Sequence, residues 1–139
     1  MLIYADGSAL SRSLTSGSES ASWMRWSSEH SSMLVTSPLG VSELRSLAAP
    51  LGFIAREKAH AIATSLAVVR FSDQALEHAA QVASEGRGLP PFTALHLGFA
   101  LAHPEVEQVA TYDPVLARAA SLYALEVVSP GRPAMWWGP

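Results

Sequence analysis

Three times in this chain a short, mainly apolar run gives way to a residue that can cap a helix, and that rhythm constrains the fold more than any other feature. Leu2, Ile3, Tyr4 and Ala5 end at Asp6; Met33, Leu34, Val35 and Thr36 end at Ser37 and Pro38; residues 106–112 end at Asp113 and Pro114. Runs of this length suit strands buried on both faces of a parallel sheet. Ser or Asp followed by proline starts a helix, because the side chain accepts a free N–H of the first turn and proline needs no N–H partner there. Repetition of strand, cap and helix predicts one α/β domain with a mainly parallel sheet.

The remaining segments fit between these. Helices are predicted over 9–14, 21–30, 39–49, 53–66, 73–84, 92–103 and 115–122, a third strand or extended link over 67–71, and a last strand over 125–128. Helix 39–49 puts Val41, Leu44, Leu47 and Ala48 on one face, and Trp23, Met24 and Trp26 read as core or interface. The domain is expected to span residues 1–129. Residues 130–139 are punctuated by Pro130, Gly131, Pro133 and Gly138 and read as an irregular tail, whose Trp136 and Trp137 either pack back or meet a partner.

Composition excludes several chemistries. With 139 residues, 49% of them apolar, the chain can fill one core. A formal charge of −3 argues against a nucleic-acid binder that works by positive charge alone, so a polyanionic ligand needs local arginines or metal ions. Lys58 is the only lysine, and no glycine-rich lysine loop for phosphate exists. The absence of cysteine removes disulfides, thiolate nucleophiles and cysteine zinc sites. Residues 1–10 lack the basic start and long apolar stretch of a leader, and no run has the length of a membrane span, so a cytoplasmic protein is expected.

The chemistry-bearing pattern is acidic. Of the three aspartates, Asp6 and Asp113 directly follow strands, and the carboxyl ends of parallel strands share one edge. The two meet there if their strands are neighbours, with Glu43, in the second turn of helix 39–49, close by. Each also has a plain reading: Asp6 and Asp113 as helix caps, Glu43 as a solvated helix residue. Clustered carboxylates repel one another unless a cation lies between them, and hard oxygen donors favour Mg²⁺ or Mn²⁺. Glu105 and Glu107 precede the fourth strand and belong to the opposite edge. His96 and His103 lie seven apart without a third ligand at metal spacing, and read as core or surface histidines.

These stretches resemble a known family. MLIYADGSAL resembles the opening strand of the PIN-domain ribonucleases, VSELRSL the helix with their second acid, and TALHLGFAL with VATYDPVLARAASLYALEVVSPG their C-terminal third. The whole is similar to a VapC-type toxin of a bacterial toxin–antitoxin pair, most closely at both ends and loosely over 53–87. The resemblance implies a three-layer α/β/α domain with four to five strands. It also implies a metal-dependent endoribonuclease whose first, second and fourth acids are Asp6, Glu43 and Asp113, holding Mg²⁺ or Mn²⁺. The family's third acid falls on Thr93, a much weaker ligand, expected with Ser8 to support water around the ion. The resemblance further implies an RNA substrate, a homodimer, and a cognate VapB-type antitoxin that places an arginine among the carboxylates. Arg12, Arg45 and Arg87 flank the groove segments as candidate RNA contacts. The alternative, favoured by Thr93, is a domain with impaired cleavage that binds RNA or an antitoxin.

Overall fold

The computed structural model describes residues 1–85 and 88–138. The chain begins with β1 (Leu2–Ala5), α1 (Gly7–Leu10) and a 3-10 turn over Ser11–Leu14, then α2 (Ser18–Glu29). It continues through β2 (Leu34–Thr36), α3 (Pro38–Ala48), α4 (Phe53–Ser65), β3 (Ala67–Val68), α5 (Asp73–Ser84) and α6 (Pro91–Leu101). β4 (Val106–Ala110), α7 (Pro114–Leu122) and β5 (Glu126–Val128) follow. All three predicted caps are made. Asp6 accepts from Ala9 N–H, Ser37 from Gly40 N–H and Asp113 from Val115 N–H.

The five strands form one all-parallel sheet in the order β3-β2-β1-β4-β5. β1 is central. From β1 the chain winds outward one way to β2 and β3, and later the other way to β4 and β5, so strand order reverses beside β1. In open α/β sheets that reversal leaves a crevice above the strand ends, where ligands bind. The sequence places Asp6 at its floor.

Alternation along the strands divides the core in two. Ile3 and Ala5 face α1 to α4 and pack with Leu10, Trp23, Leu34, Leu44, Ala48 and Tyr112. Tyr4 faces α5 to α7 and packs with Val35, Val82, Leu97, Phe99, Val109 and Leu116. The result is the three-layer α/β/α arrangement.

Two segments differ in detail from the sequence-based expectation, and the structure decides how the tail lies. The helix expected over 9–14 begins earlier, at the Asp6 cap, and tightens to a 3-10 turn from Ser11. The run 67–71 contributes only Ala67 and Val68 to the sheet; both are exposed, as befits a short edge strand. The tail carries turns only but packs back on the body. Tyr112 Oη–H donates to Pro130 O at 2.7 Å, and Arg132 Nε–H donates to Glu19 Oε2 at 2.8 Å. The Arg132 guanidinium also lies 4.2 Å from the centre of the Trp136 ring. No helix among the described residues is long and apolar enough to cross a membrane.

Candidate metal centre

Asp6 is almost fully buried, yet each of its oxygens is supplied with donors. Oδ1 accepts from Ser8 Oγ–H at 2.7 Å and from Ala9 N–H at 3.0 Å, and Oδ2 accepts from Thr111 Oγ1–H at 2.8 Å. The two hydroxyls are themselves fixed by β4's continuation: Tyr112 N–H donates to Ser8 Oγ at 2.8 Å and Asp113 N–H to Thr111 Oγ1 at 3.0 Å. Burial pushes the Asp6 carboxyl above its ordinary value, against the pull of His96 and these three hydrogen bonds. The group is therefore oriented and kept costly to ionise, the condition in which a nearby cation stabilises it most.

Glu43 reaches the same place from α3. Gly7 N–H donates to Glu43 Oε1 at 2.9 Å, and a Cβ on Gly7 would overlap the Glu43 side chain, so the close approach of α1 to α3 depends on glycine here. Burial opposes the charge of Glu43, but the adjacent His96 imidazole and the Gly7 N–H outweigh it and hold the carboxyl below the ordinary glutamate value.

His96 arrives from α6, on the other side of the sheet. Only 3% of it is exposed. Its Nε2 lies 2.9 Å from Glu43 Oε1 but outside hydrogen-bond alignment, which leaves that nitrogen buried without a hydrogen-bond partner. Nδ1 lies 2.7 Å from Tyr4 Oη, which in turn lies 2.7 Å from Ser37 Oγ. Burial pushes the Tyr4 hydroxyl well above the ordinary tyrosine value, so it stays protonated.

Ligand atoms of Asp6, Glu43 and His96 all lie within 4.8 Å of one another. Two carboxylates and a buried imidazole fit a divalent cation in chemistry and spacing. β1 and β4 are neighbours, the condition on which Asp6 and Asp113 would meet, but the Asp113 carboxylate is not in this cluster. Its Oδ1 caps α7, accepting from Val115 N–H at 2.8 Å, while its backbone steadies Thr111. Ser8 stands beside Asp6, and Thr93 is buried in the first turn of α6, three residues before His96.

Among the candidate RNA contacts, Arg12 is paired with Glu19 at 2.8 Å and lies 4.4 Å from the centre of the Tyr112 ring. Arg45 is exposed on α3, and Arg87 lies outside the described residues. Among the described residues no other acid takes the third place: Asp73 and Glu107 are exposed, Glu85 accepts from the Tyr123 hydroxyl, and Glu105 belongs to the foot of the sheet, where its carbonyl accepts from Leu2 N–H.

Sequence reasoning missed three participants. Thr111 was signalled only by its place at the end of a strand, two residues before Asp113. Tyr4 lay inside an apolar run. His96 was read as a core or surface histidine; it is buried, but its partners come from β1 and α3 and cannot be found by spacing within α6.

The PIN domain family matches the chain over residues 3–122. No curated protein matched it by sequence. Among solved structures, VapC20 of Mycobacterium tuberculosis, described as a toxin that cleaves the sarcin–ricin loop, is similar to it with a TM-score of 0.69 and 19% identity. That similarity covers 84% of this chain and 94% of the other, and it concerns the fold. With the sheet order, the acid at the end of β1 and a family match across most of its length, the chain belongs to the PIN-domain family.

Proposed function

We propose that this protein is a VapC-type toxin, a divalent-metal-dependent endoribonuclease that hydrolyses RNA phosphodiester bonds and is silenced by a cognate VapB-type antitoxin. The observation that carries this reading is the convergence of Asp6 and Glu43 with His96 in the crevice beside β1 of a PIN domain. Asp6 and Glu43 hold Mg²⁺ or Mn²⁺, and Asp113 adds negative charge from the end of β4. A divalent ion bound there supplies Lewis acidity toward the phosphate and lowers the pKa of the attacking water.

The chain's own residues do the positioning. Ser8 and Thr111 aim the Asp6 oxygens and Gly7 N–H aims Glu43, while Thr93, one turn before His96 in α6, is assigned to hold water around the ion. Arg45, exposed two residues after Glu43, is the better placed of the described arginines for an RNA phosphate, because Arg12 is already engaged by Glu19 and Tyr112. An arginine of the antitoxin suits the same acidic crevice through charge-assisted hydrogen bonds. Exposed Leu47, Leu51, Phe53 and Ile54 at the turn from α3 to α4 support pairing into a homodimer. The fold likeness to a toxin described as cleaving the sarcin–ricin loop supports structured RNA as the substrate class and the cytoplasm as the place of action.

Thr93 favours a second reading, in which cleavage is impaired and the domain serves as an RNA- or antitoxin-binding module. Wild type, Asp6→Ala and Thr93→Asp incubated with a panel of structured RNAs, with Mg²⁺ or Mn²⁺ or with a chelator, separate the two. Metal-dependent cleavage by wild type that disappears in Asp6→Ala supports the nuclease. Silence of wild type with activity in Thr93→Asp supports the module. Equal behaviour of all three variants removes the metal-site assignment itself.

A further inference from the structure

We infer that His96 is a direct metal ligand through Nε2, giving a centre with two oxygen donors and one nitrogen donor. This rests on the reading of the crevice as a divalent-metal site. The observation beyond the acids is a buried imidazole nitrogen whose ligand atom converges with both carboxylates within 4.8 Å and meets Glu43 Oε1 at 2.9 Å out of hydrogen-bond alignment. Placed between two carboxylates, this nitrogen is positioned to share a cation with both of them, whereas a bent contact satisfies only one oxygen.

Position and support agree with this role. His96 lies three residues after Thr93 in α6, so the two side chains project from neighbouring points of one helical face. Histidine ligands are held by a bond from the second ring nitrogen, and here Nδ1 meets Tyr4 Oη, which meets Ser37 Oγ, fixed by Gly40 N–H at 3.1 Å. Presenting the Nε2 lone pair to an ion puts the hydrogen on Nδ1, which donates to Tyr4 Oη; the Tyr4 hydroxyl then donates to Ser37. The relay exists in the fold, and no side chain has to move to form it.

The donor set carries a selectivity. Carboxylates and water alone suit Mg²⁺, whereas an imidazole ranks Mn²⁺ above Mg²⁺ and admits Co²⁺, Ni²⁺ and Zn²⁺. The metal of this chain is therefore a transition ion, with Mn²⁺ bound more tightly than Mg²⁺.

The test uses the full chain loaded with Mn²⁺ and reads the electron spin echo for nitrogen coupling. Wild type is expected to show coupling to ¹⁴N that converts to ¹⁵N when only histidine is ¹⁵N-labelled, and this requires no variant. Calorimetry with His96→Gln is expected to show Mn²⁺ affinity reduced at least about tenfold. It is expected to show Mg²⁺ affinity reduced less. Bound Mn²⁺ without histidine coupling, or Mn²⁺ affinity unchanged in His96→Gln, overturns the ligand assignment while leaving the acidic site standing. Coupling present without any RNA cleavage keeps the ligand and removes the nuclease. No Mn²⁺ binding by wild type overturns both.

Discussion

Asp6 shows how one residue answers to both stability and function. The cap and the candidate ligand compete as readings of the sequence, but in the fold a single carboxylate does both, with Oδ1 closing α1 and Oδ2 held by Thr111. Because burial raises its pKa, the folded protein binds this proton more tightly than the unfolded chain does. Stability is then lost as pH rises from the ordinary carboxyl value through the raised folded one, and at neutral pH the ionised group costs free energy. Asp6→Asn removes that cost and keeps the geometry, since Oδ1 can still accept and the Thr111 hydroxyl can turn to accept from the new amide. In chelator, Asp6→Asn is expected to melt a few degrees above wild type at neutral pH and to lose the advantage in acid. A lower melting temperature at neutral pH contradicts this. His96 marks the limit of sequence reading at this scale: its partner Tyr4 lies 92 residues away, and such a pairing exists only once the sheet has brought β1 under α6.

At the scale of elements, the sequence was most legible where an apolar run met a cap, because both signals are local. β1, β2 and β4, together with α3 and α7, lie within two residues of their predicted bounds, whereas the helix after β1 is shorter and tightens from Ser11. The edge strand β3 was less legible, since its two residues depend on pairing with β2 rather than on their own pattern. The packing of α5 on α6 was not legible at all. It rests on Gly98, where a Cβ would run into Ala75 O and into Ala79 of α5. Gly98→Ala gains at most about 1 kcal/mol of helix propensity. Overpacking at such a contact costs about 1–3 kcal/mol, so the balance is unfavourable. Urea unfolding should show Gly98→Ala less stable than wild type by about 1–2 kcal/mol. A more stable variant means that α5 and α6 can separate freely, and the contact is then no constraint on where His96 sits.

At the scale of the whole molecule, the all-parallel sheet with β1 at its centre determines that chemistry collects at one edge. Alternation of strands and helices predicted that sheet, whereas strand order came only from the structure, and with it the adjacency of β1 and β4 that brings Thr111 to Asp6. The tail is joined to the body through Glu19, which lies between Arg132 and Arg12, each at 2.8 Å. The Arg132 bond comes first among the effects that hold the Glu19 carboxyl below its ordinary value. A lowered folded pKa contributes stability above the unfolded value and loses it as pH falls through the folded one. Glu19→Gln is therefore expected to cost about 1 kcal/mol or less at neutral pH, given that the pair is partly solvated. The difference from wild type in urea midpoint should vanish in acid; a difference independent of pH removes the ion pair as its cause. The central claim, metal-assisted hydrolysis of RNA at the β1 edge, is tested most directly by the chemistry of the cut ends. Mass spectrometry of fragments made by wild type with Mn²⁺ is expected to find no 2′,3′-cyclic phosphate, and no fragments with chelator or with Asp6→Asn. Cyclic phosphate ends, or cutting that persists without metal, contradict it, because attack by the RNA's own 2′-hydroxyl needs neither the ion nor Asp6.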